Sequence, residues 1–428
     1  MDIYVVQQDD NISKIAARYG ITIERIVKDN GLEYPFNLAI GQALIITFPK
    51  QSHIVQEGDT VQSIADSYNV TIMQILRNNP YLTIREPLIG ETLVISYYTS
   101  GSIATNGFSF PYIRIETLVQ TLPNLTYLSI FNYTVAEGGQ IISYYDDSEI
   151  IRTSKDYGVI PLMLLTTLTP QGVPNIEIAF NILLNEEYQE RLINEFIDIM
   201  KQQGYQGINI VFNFINENNQ SLYQNFVQKI SNRLQQENFL FFITINYNVQ
   251  IIDNKISVEQ VNFSILSNYV NGIIFLNIIW GANVNPPAPV SNINYLRELM
   301  NHVIFSTPNK KVSIGMPILG YDWQLPFIPN VTKANSLTME SAINLAYDTG
   351  SIIQFDEDSQ TPYFYYNDFS FGYPYQHIVW FIDARSIHVL NQLIDEHGLS
   401  GSGIWNIMIY NQQLWTLICA SYDVVKLI

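Results

Sequence analysis

The sequence predicts an α/β chain: a parallel (β/α)8 TIM barrel with an inserted α+β subdomain, preceded by two small βααβ modules. Three observations predict it. An imperfect repeat opens the chain, apolar strand-like runs alternate with helical segments over the remainder, and one interval between runs is too long for a crossover.

The repeat aligns Val5-Val6-Gln7-Gln8-Asp9-Asp10-Asn11-Ile12-Ser13-Lys14-Ile15-Ala16 with Ile54-Val55-Gln56-Glu57-Gly58-Asp59-Thr60-Val61-Gln62-Ser63-Ile64-Ala65. Tyr19 then matches Tyr68, Ile26 matches Ile75, and Asn30 matches Asn79. Each copy reads as a short strand, two amphipathic helices and a closing strand, Ala43–Phe48 or Thr92–Tyr98. The modules are therefore expected at 1–49 and 52–98. Asp10 and Asp59 stand just ahead of the periodic apolar residues, where helix N-caps belong.

A Ser/Gly/Thr linker, Thr99–Ser102, leads into a barrel expected over 101–428. Its strands are expected at Ile103–Phe110, Tyr127–Val135, Val159–Thr167, Gly207–Ile215, Leu240–Tyr247, Gly272–Ile279, Val312–Ile318 and Gly401–Ile407. Segments such as Asn185–Gln203 and Ser221–Gln236 carry apolar residues at helical spacing and supply crossovers. The Tyr-, Phe- and Pro-rich interval 320–385 reads as an α+β insertion between the seventh and eighth strands.

Composition narrows the function. The 428 residues are 47% hydrophobic and include 28 Tyr and 22 Phe, enough for a large core and unlike a disordered chain. A net charge of −18, from 39 acidic against 21 basic residues, argues against a nucleic-acid partner and against an anionic membrane. The single cysteine, Cys419, excludes an internal disulfide and lies in the apolar run Leu414–Ala420, where a buried inert thiol is expected. The N-terminus lacks a basic stretch followed by an apolar run, so no secretory signal is expected, and no run is long enough to span a bilayer. The five histidines, His53, His302, His377, His388 and His397, are dispersed without metal-ligand spacing, and no Gly-rich phosphate loop occurs. No cofactor or metal is expected.

The repeat, with Gly58-Asp59-Thr60, Ile64-Ala65, Tyr68, Asn79-Pro80 and Gly90 in its second copy, resembles the LysM module. That resemblance implies binding of N-acetylglucosamine glycans such as peptidoglycan or chitin. The groove it implies lies between the first strand–helix loop and the loop after the second helix. In the second module this falls on Gly58, Asp59, Thr60, Asn79, Pro80 and Leu82, and in the first on Asp10, Asn11, Asn30 and Gly31. The first copy departs from the motif, with Asp9-Asp10-Asn11 where Gly-Asp-Thr belongs. Two tandem copies favour avid binding to a repeating polymer.

The barrel half resembles glycoside hydrolase family 18, and more narrowly the spore-cortex N-acetylglucosaminidases that carry two LysM modules. The residues behind this are Leu122-Pro123-Asn124-Leu125-Thr126-Tyr127-Leu128-Ser129-Ile130-Phe131, Gly315-Met316-Pro317-Ile318-Leu319-Gly320-Tyr321-Asp322-Trp323 and Ile382-Asp383-Ala384-Arg385-Ser386. The family's chemistry needs Asp-x-Glu at the end of the fourth strand. The Glu protonates the glycosidic oxygen, and the Asp orients the substrate acetamide that acts as nucleophile. Two-residue spacing sets both carboxylates on one face of the strand. In Gly207-Ile208-Asn209-Ile210-Val211-Phe212-Asn213 the Asp position is Val211 and the Glu position is Asn213. Valine can neither orient an amide nor carry charge, and asparagine has no acidic proton to give. The sixth-strand Tyr-acid pair matches Ile278-Ile279, the acid ahead of Asp-Ala-Arg-Ser is Ile382, and the eighth-strand aromatic-Trp-Glu pattern reads Ile404-Trp405-Asn406. Loss across several strands describes a pocket no longer built for hydrolysis.

Other carboxylates, Glu217 and Asp146-Asp147, match no family position and are expected to be solvated loop acids. Trp280 and Trp405 match the sugar-stacking floor of the family cleft, with core packing as the competing role, and Asn209 and Tyr321 are also assigned to the cleft. The sequence thus leads to a non-catalytic, spore-associated glycan-binding protein with a pseudo-glycosidase barrel as scaffold. A self-assembling spore coat, exosporium or parasporal protein, whose partners are other envelope proteins or further copies of itself, is the alternative of a different class. A residual cortex N-acetylglucosaminidase with a relocated acid is the third.

Overall fold

The computed structural model describes residues 1–168, 174–247, 249–252, 255–276, 284–369 and 372–427. Its centre is a closed barrel of eight parallel strands: Gly101–Ser109, Tyr127–Val135, Ile160–Thr166, Gly207–Phe212, Leu240–Ile245, Gly272–Phe275, Val312–Pro317 and Gly401–Trp405. Each strand pairs in parallel with the next, and the last closes on the first with Gly401 opposite Ala104. Helices cover the outer faces, so these strands are buried on both sides and read as continuous apolar runs. Every residue of Ile160–Thr166 and of Gly207–Phe212 is buried. Gly207 is required by close approach: a Cβ there would stand 2.5 Å from the Leu240 carbonyl oxygen and 2.9 Å from Leu162.

Side chains stack in layers inside the barrel, as alternate residues of each strand point inward. One layer is a hydrogen-bonded polar belt. Ser129 Oγ donates to Asn106 Oδ1 at 3.0 Å, Asn209 Nδ2 donates to Ser129 Oγ at 3.0 Å, and Thr244 Oγ1 donates to Asn209 Oδ1 at 2.9 Å. Two residues further along the fourth strand the layer is apolar, with Val211 packed among Phe108, Leu164, Ile274, Leu276 and Trp405.

Between the seventh and eighth strands, residues 320–381 form a five-stranded antiparallel sheet with the helix Met339–Asp348 against it. Phe364, Val379 and Phe381 of the sheet pack on Ala342 and Ala346 of that helix.

Both N-terminal modules are βααβ. Asp2–Val5 pairs antiparallel with Ala43–Ile46, and Gln51–Ile54 with Thr92–Ser96. The helix caps differ from expectation by one residue. Asn11 and Thr60 are the N-caps, accepting from Lys14 N and Ser63 N, and Ser63 completes a capping box with Thr60. Asp10 and Asp59 instead pin the preceding turn, accepting from Gln7 N and Gln56 N. Each carboxylate also meets a side chain of the first strand: Tyr4 donates to Asp10 at 2.5 Å, and His53 Nε2 lies 2.7 Å from Asp59.

The modules do not hang from the barrel on a linker. In Ala43–Ile46 every residue is buried: Leu44 and Ile46 face the module's own core, while Ala43 and Ile45 face the barrel core. In the second module Leu93 and Ile95 face inward, and Val94 packs with Tyr97, Cys419 and Ala420. The partner of both is the helix Gln412–Ser421, whose residues Gln413 to Ala420 are all buried. Gln413 Nε2 donates to Asn30 Oδ1 at 3.0 Å and to the Ala43 carbonyl at 2.8 Å. Gly41, at φ +86°, lies so close to the insert that a Cβ would stand 2.0 Å from the Ile353 carbonyl oxygen.

The modules are also tied to each other. Lys28 of the first lies 3.0 Å from Glu91 of the second, which also pairs with Arg85 at 2.7 Å. Burial alone would raise the Glu91 carboxyl, but the hydrogen bonds from Arg85 and Lys28 outweigh it and hold the group down at about 2. Its folded value is thus depressed below the ordinary 4.5, so its contribution is whole above pH 4.5 and is lost as pH falls through about 2. The melting-temperature difference between wild type and Glu91→Gln should therefore be largest above pH 4.5 and close as pH approaches 2, measured by thermal unfolding across that window.

Candidate functional site

The C-terminal mouth of the barrel is where this fold places its chemistry. Three inward positions of the fourth strand approach it. Asn209 is fully buried with its carboxamide committed to Ser129 and Thr244, so it is a rung of the polar belt and not a cleft residue. Val211 is 3% exposed and closes the next layer. Asn213, just past the strand end, accepts from Asn246 Nδ2 at 3.2 Å, and its own Nδ2 is buried without a partner. Phe110, Phe131 and Leu319 are partly buried and pack over the Val211 layer. A cavity of about 40 Å³ that Val211 and Asn213 also border lies on the outer side of the strands, against Ile182, Leu192, Tyr223 and Phe226 of the surrounding helices.

Trp405 packs into this layer too. It is 2% exposed and edge-on to Phe108 at 5.8 Å and to Phe110 at 6.4 Å, so most of the ring is core, while part of it borders the cleft beside the insert. Tyr321 is equally buried, its ring tilted at 56° to that of Trp323 with centroids 5.6 Å apart; it borders the same cleft, and burial pushes its hydroxyl up to about 12. Ile278, Ile279 and Trp280 lie outside the described residues.

The other carboxylates the sequence singles out differ in setting. Glu217 is exposed on the loop beyond the strand. Asp147 proves to be buried rather than solvated: Tyr133 and Tyr205 donate to its Oδ2 at 2.6 and 2.5 Å, and Asn132 Nδ2 lies at 3.2 Å. Asp322 is likewise engaged, by His377 Nδ1 at 2.9 Å and the Tyr366 hydroxyl at 2.8 Å. Among the described residues, no three His, Cys, Asp or Glu gather as a metal would require. Burial pushes the Cys419 thiol up to about 11, which keeps it protonated and poorly nucleophilic at neutral pH.

In the second module, Gly58 at φ +87° has open space around it, and Asp59 and Thr60 are partly exposed. Here the backbone is at the surface. Asn79 is not: it is 2% exposed and its carboxamide bridges the Ile75 and Val94 carbonyls and the Val94 amide. Asn30 makes the same bridge in the first module to Ile26 and Ile45. Pro80 and Leu82 are buried as well, Leu82 in the module core. These four side chains hold the modules together and offer a ligand nothing. The exposed large apolar residues of this region are Ile84, Leu88 and Ile89, on the loop that returns to the closing strand. Gly31 faces the barrel, with a would-be Cβ 2.9 Å from Gln412.

A cleft of about 830 Å³ lies where the first module, the insert and the barrel meet. Its walls are the loop 31–37, the helix Met339–Asp348, and the segment 405–413 that follows the eighth strand. Of the residues the sequence singles out, Asn30 and Gly31 of the first module and Tyr321 and Trp405 of the barrel cleft border it, but the sequence does not show that the module and the barrel share one cleft. The signal was present in two places: Ala43-Leu44-Ile45-Ile46 lacks the alternation of a one-sided strand, and Leu414–Ala420 is apolar on every face, so both demand neighbours.

Residues 174–408 match Glycosyl hydrolases family 18, and residues 4–47 and 53–96 match the LysM domain. The chain belongs to glycosyl hydrolase family 18 and carries two LysM modules ahead of its barrel. A cortical fragment-lytic enzyme of Bacillus subtilis (strain 168) is 34% identical over 432 residues, which cover 100% of this chain and 99% of that protein. The spore cortex-lytic enzyme SleL of Bacillus megaterium QM B1551 has a crystal structure that matches with a TM-score of 0.79 at 27% identity, covering 100% of this chain and 99% of its own. SleL of Bacillus cereus gives a TM-score of 0.78 at 26% identity, with 99% of each chain covered.

The burial of Val211 has a measurable consequence. Val211→Asp places a carboxyl among Phe108, Leu164 and Trp405 with no cation nearby, which should destabilise the fold by about 3–5 kcal/mol at neutral pH. The folded-state pKa of the new carboxyl would be raised, so the deficit should shrink as pH falls toward about 4. Denaturant unfolding at both pH values checks the size and the sign.

Proposed function

We propose that this protein is a non-hydrolytic, spore-associated glycan binder that uses a glycosidase barrel as its scaffold. The observation that carries the reading is the Val211 layer. Where the family's chemistry needs a carboxylate pair, the chain has a hydrocarbon packed against Phe108, Leu164 and Trp405, followed by an amide hydrogen-bonded to another amide. Such a site can neither protonate a glycosidic oxygen nor orient an acetamide nucleophile. The relatives named for spore-cortex lysis support the spore and its cortex peptidoglycan as the setting. The LysM modules support N-acetylglucosamine glycans as the ligand class. The surface best suited to meet cortex is the open turn at Gly58-Asp59-Thr60 with the neighbouring exposed loop of Leu88 and Ile89.

The second reading, a working cortex glycosidase, is favoured by one finding, the lytic names of relatives that match the whole chain. The two readings part on product. Full-length protein incubated with cortex muropeptides should yield no new reducing ends or cleaved species by mass spectrometry; cleavage would overturn the proposal. Full-length protein should nevertheless be retained on purified cortex or chitin, and Asp59→Ala combined with Ile89→Asp should reduce that retention. Unchanged retention would remove the second module from the reading. The pair Val211→Asp and Asn213→Glu should remain inactive, because Ile278 and Ile279 stand where the family resemblance puts the Tyr-acid pair that holds the acetamide.

A further inference from the structure

A smaller pocket lies where the two modules meet the helix Gln412–Ser421. Its volume of about 200 Å³ falls below the roughly 300–1,000 Å³ usual for organic ligands, and suits an ion better than a sugar chain. Arg25 and Lys28 of the first module and Arg77 of the second line it, and Asp29 is the one carboxylate in its wall among the described residues. In a chain of 39 acidic against 21 basic residues, this local excess of cations runs against the overall charge. Two of the cations are well matched: Arg25 lies 3.0 Å from Asp29, and Lys28 meets Glu24 and Glu91 at 2.8 and 3.0 Å.

Arg77 is not. It is 8% exposed, and its one ion-pair partner among the described residues is Asp423 at 3.3 Å, a side chain that is 59% exposed. Its Nε is buried with no hydrogen-bond partner among the described residues, an unusual condition for an N–H in a folded chain. The charge is felt nearby. Lys426, which donates to the Leu122 and Leu125 carbonyls, is pushed down to about 7 by burial and then by Arg77. The Tyr410 hydroxyl in the wall of the same pocket is buried without a partner too. Tyr410 also borders the larger cleft, but Arg25, Lys28 and Arg77 do not.

We propose that this inter-module pocket binds a small oxyanion, a phosphate or a carboxylate, held by the Arg77 guanidinium and the Tyr410 hydroxyl and joining the two modules to the helix behind them. An oxygen acceptor there removes the cost of two buried donors and makes a charge-assisted hydrogen bond to the first. The planar fork of a guanidinium matches the paired oxygens of either ion. Arg25 and Lys28 add attraction that only an anion can use. Because the walls come from both modules and the barrel, the ion binds only when they are docked, so it stabilises the docked fold by mass action. The site lies away from the Gly58 turn and from the barrel mouth, so it stands or falls independently of the cortex-binding reading.

Thermal unfolding and calorimetric titration of the full-length chain with inorganic phosphate, and separately with acetate, at constant ionic strength against chloride, test it. At least one oxyanion should raise the unfolding midpoint saturably while chloride does not, and the tighter of the two names the source. Arg77→Gln should weaken binding by about tenfold or more. Tyr410→Phe should weaken it by about fivefold without lowering the midpoint of the ion-free protein, because it deletes a hydroxyl that has no partner. If Arg77→Gln does not fold, Tyr410→Phe decides alone. Hydrogen–deuterium exchange should show protection by the ion in 25–31 and 77–81. A response no greater than that to chloride, unaltered affinity in the variants that fold, or protection in 339–348 in place of 77–81 would each overturn the proposal.

Discussion

The structure depends on one helix being buried on every side. Gln412–Ser421 follows the eighth barrel strand, packs on the barrel, and presents its remaining faces to both N-terminal modules. Such a helix cannot be left in water: each fully buried Leu, Ile or Trp is worth roughly 1.5–3 kcal/mol relative to exposure. Leu414, Trp415, Leu417 and Ile418 are all buried here. The modules complete a core that the barrel leaves open, and the barrel in turn covers strand faces that a free-standing module would expose. Gln413, bonded to Asn30 and Ala43, fixes the register of this contact. For that reason full-length protein, rather than an excised pair of modules, is the right object for binding experiments.

The same economy of packing explains the barrel mouth. A glycosidase keeps charge at the end of the fourth strand, and charge needs water or partners around it. With Val211 in the Asp position, neighbours no longer have to supply either. Phe108, Leu164, Ile274 and Trp405 pack on one another across the barrel interior instead. The polar belt beneath it, Asn106-Ser129-Asn209-Thr244, runs as a chain of hydrogen bonds that ends on Asn106, whose Nδ2 is buried without a partner. Asn209 lost its place in the cleft for this reason: its spacing from Val211 and Asn213 put it on the inward face correctly, but one layer too deep.

The eight strands and the repeat were legible because period and length carry them: unbroken apolar runs of strand length alternate with helical periodicity, and the repeat aligns residue by residue. What the sequence did not disclose is which polar residues are spent on the fold. Asn30 and Asn79 look like groove residues in a motif, yet both are buried bridges between a helix end and the closing strand. Asp10 and Asp59 sit at cap positions in a linear reading, but the three-dimensional turn gives the cap to the next residue, Asn11 or Thr60. Asp147 was read as a loop acid and is held by two tyrosines that lie 14 and 58 residues away. Each of these depends on long-range contacts that no local pattern reports.

Docking also changes what a tandem pair of modules means. Two modules on a flexible linker raise avidity by presenting equivalent grooves at an adjustable distance. Here Gly41 is jammed against Ile353, Gly31 against Gln412, and Lys28 is clamped to Glu91, so the separation of the modules is fixed. A fixed pair gains only when its spacing matches that of the ligand, and these two do not present the same surface. Both modules keep the first turn at the surface, at Asp9 and at Gly58, but the first also turns its loop 31–37 into the cleft beside the insert. Repetition in the sequence has therefore not carried over to environment in the fold: the first copy supplies a wall of a cleft shared with the insert and the barrel, and the second copy does not line it.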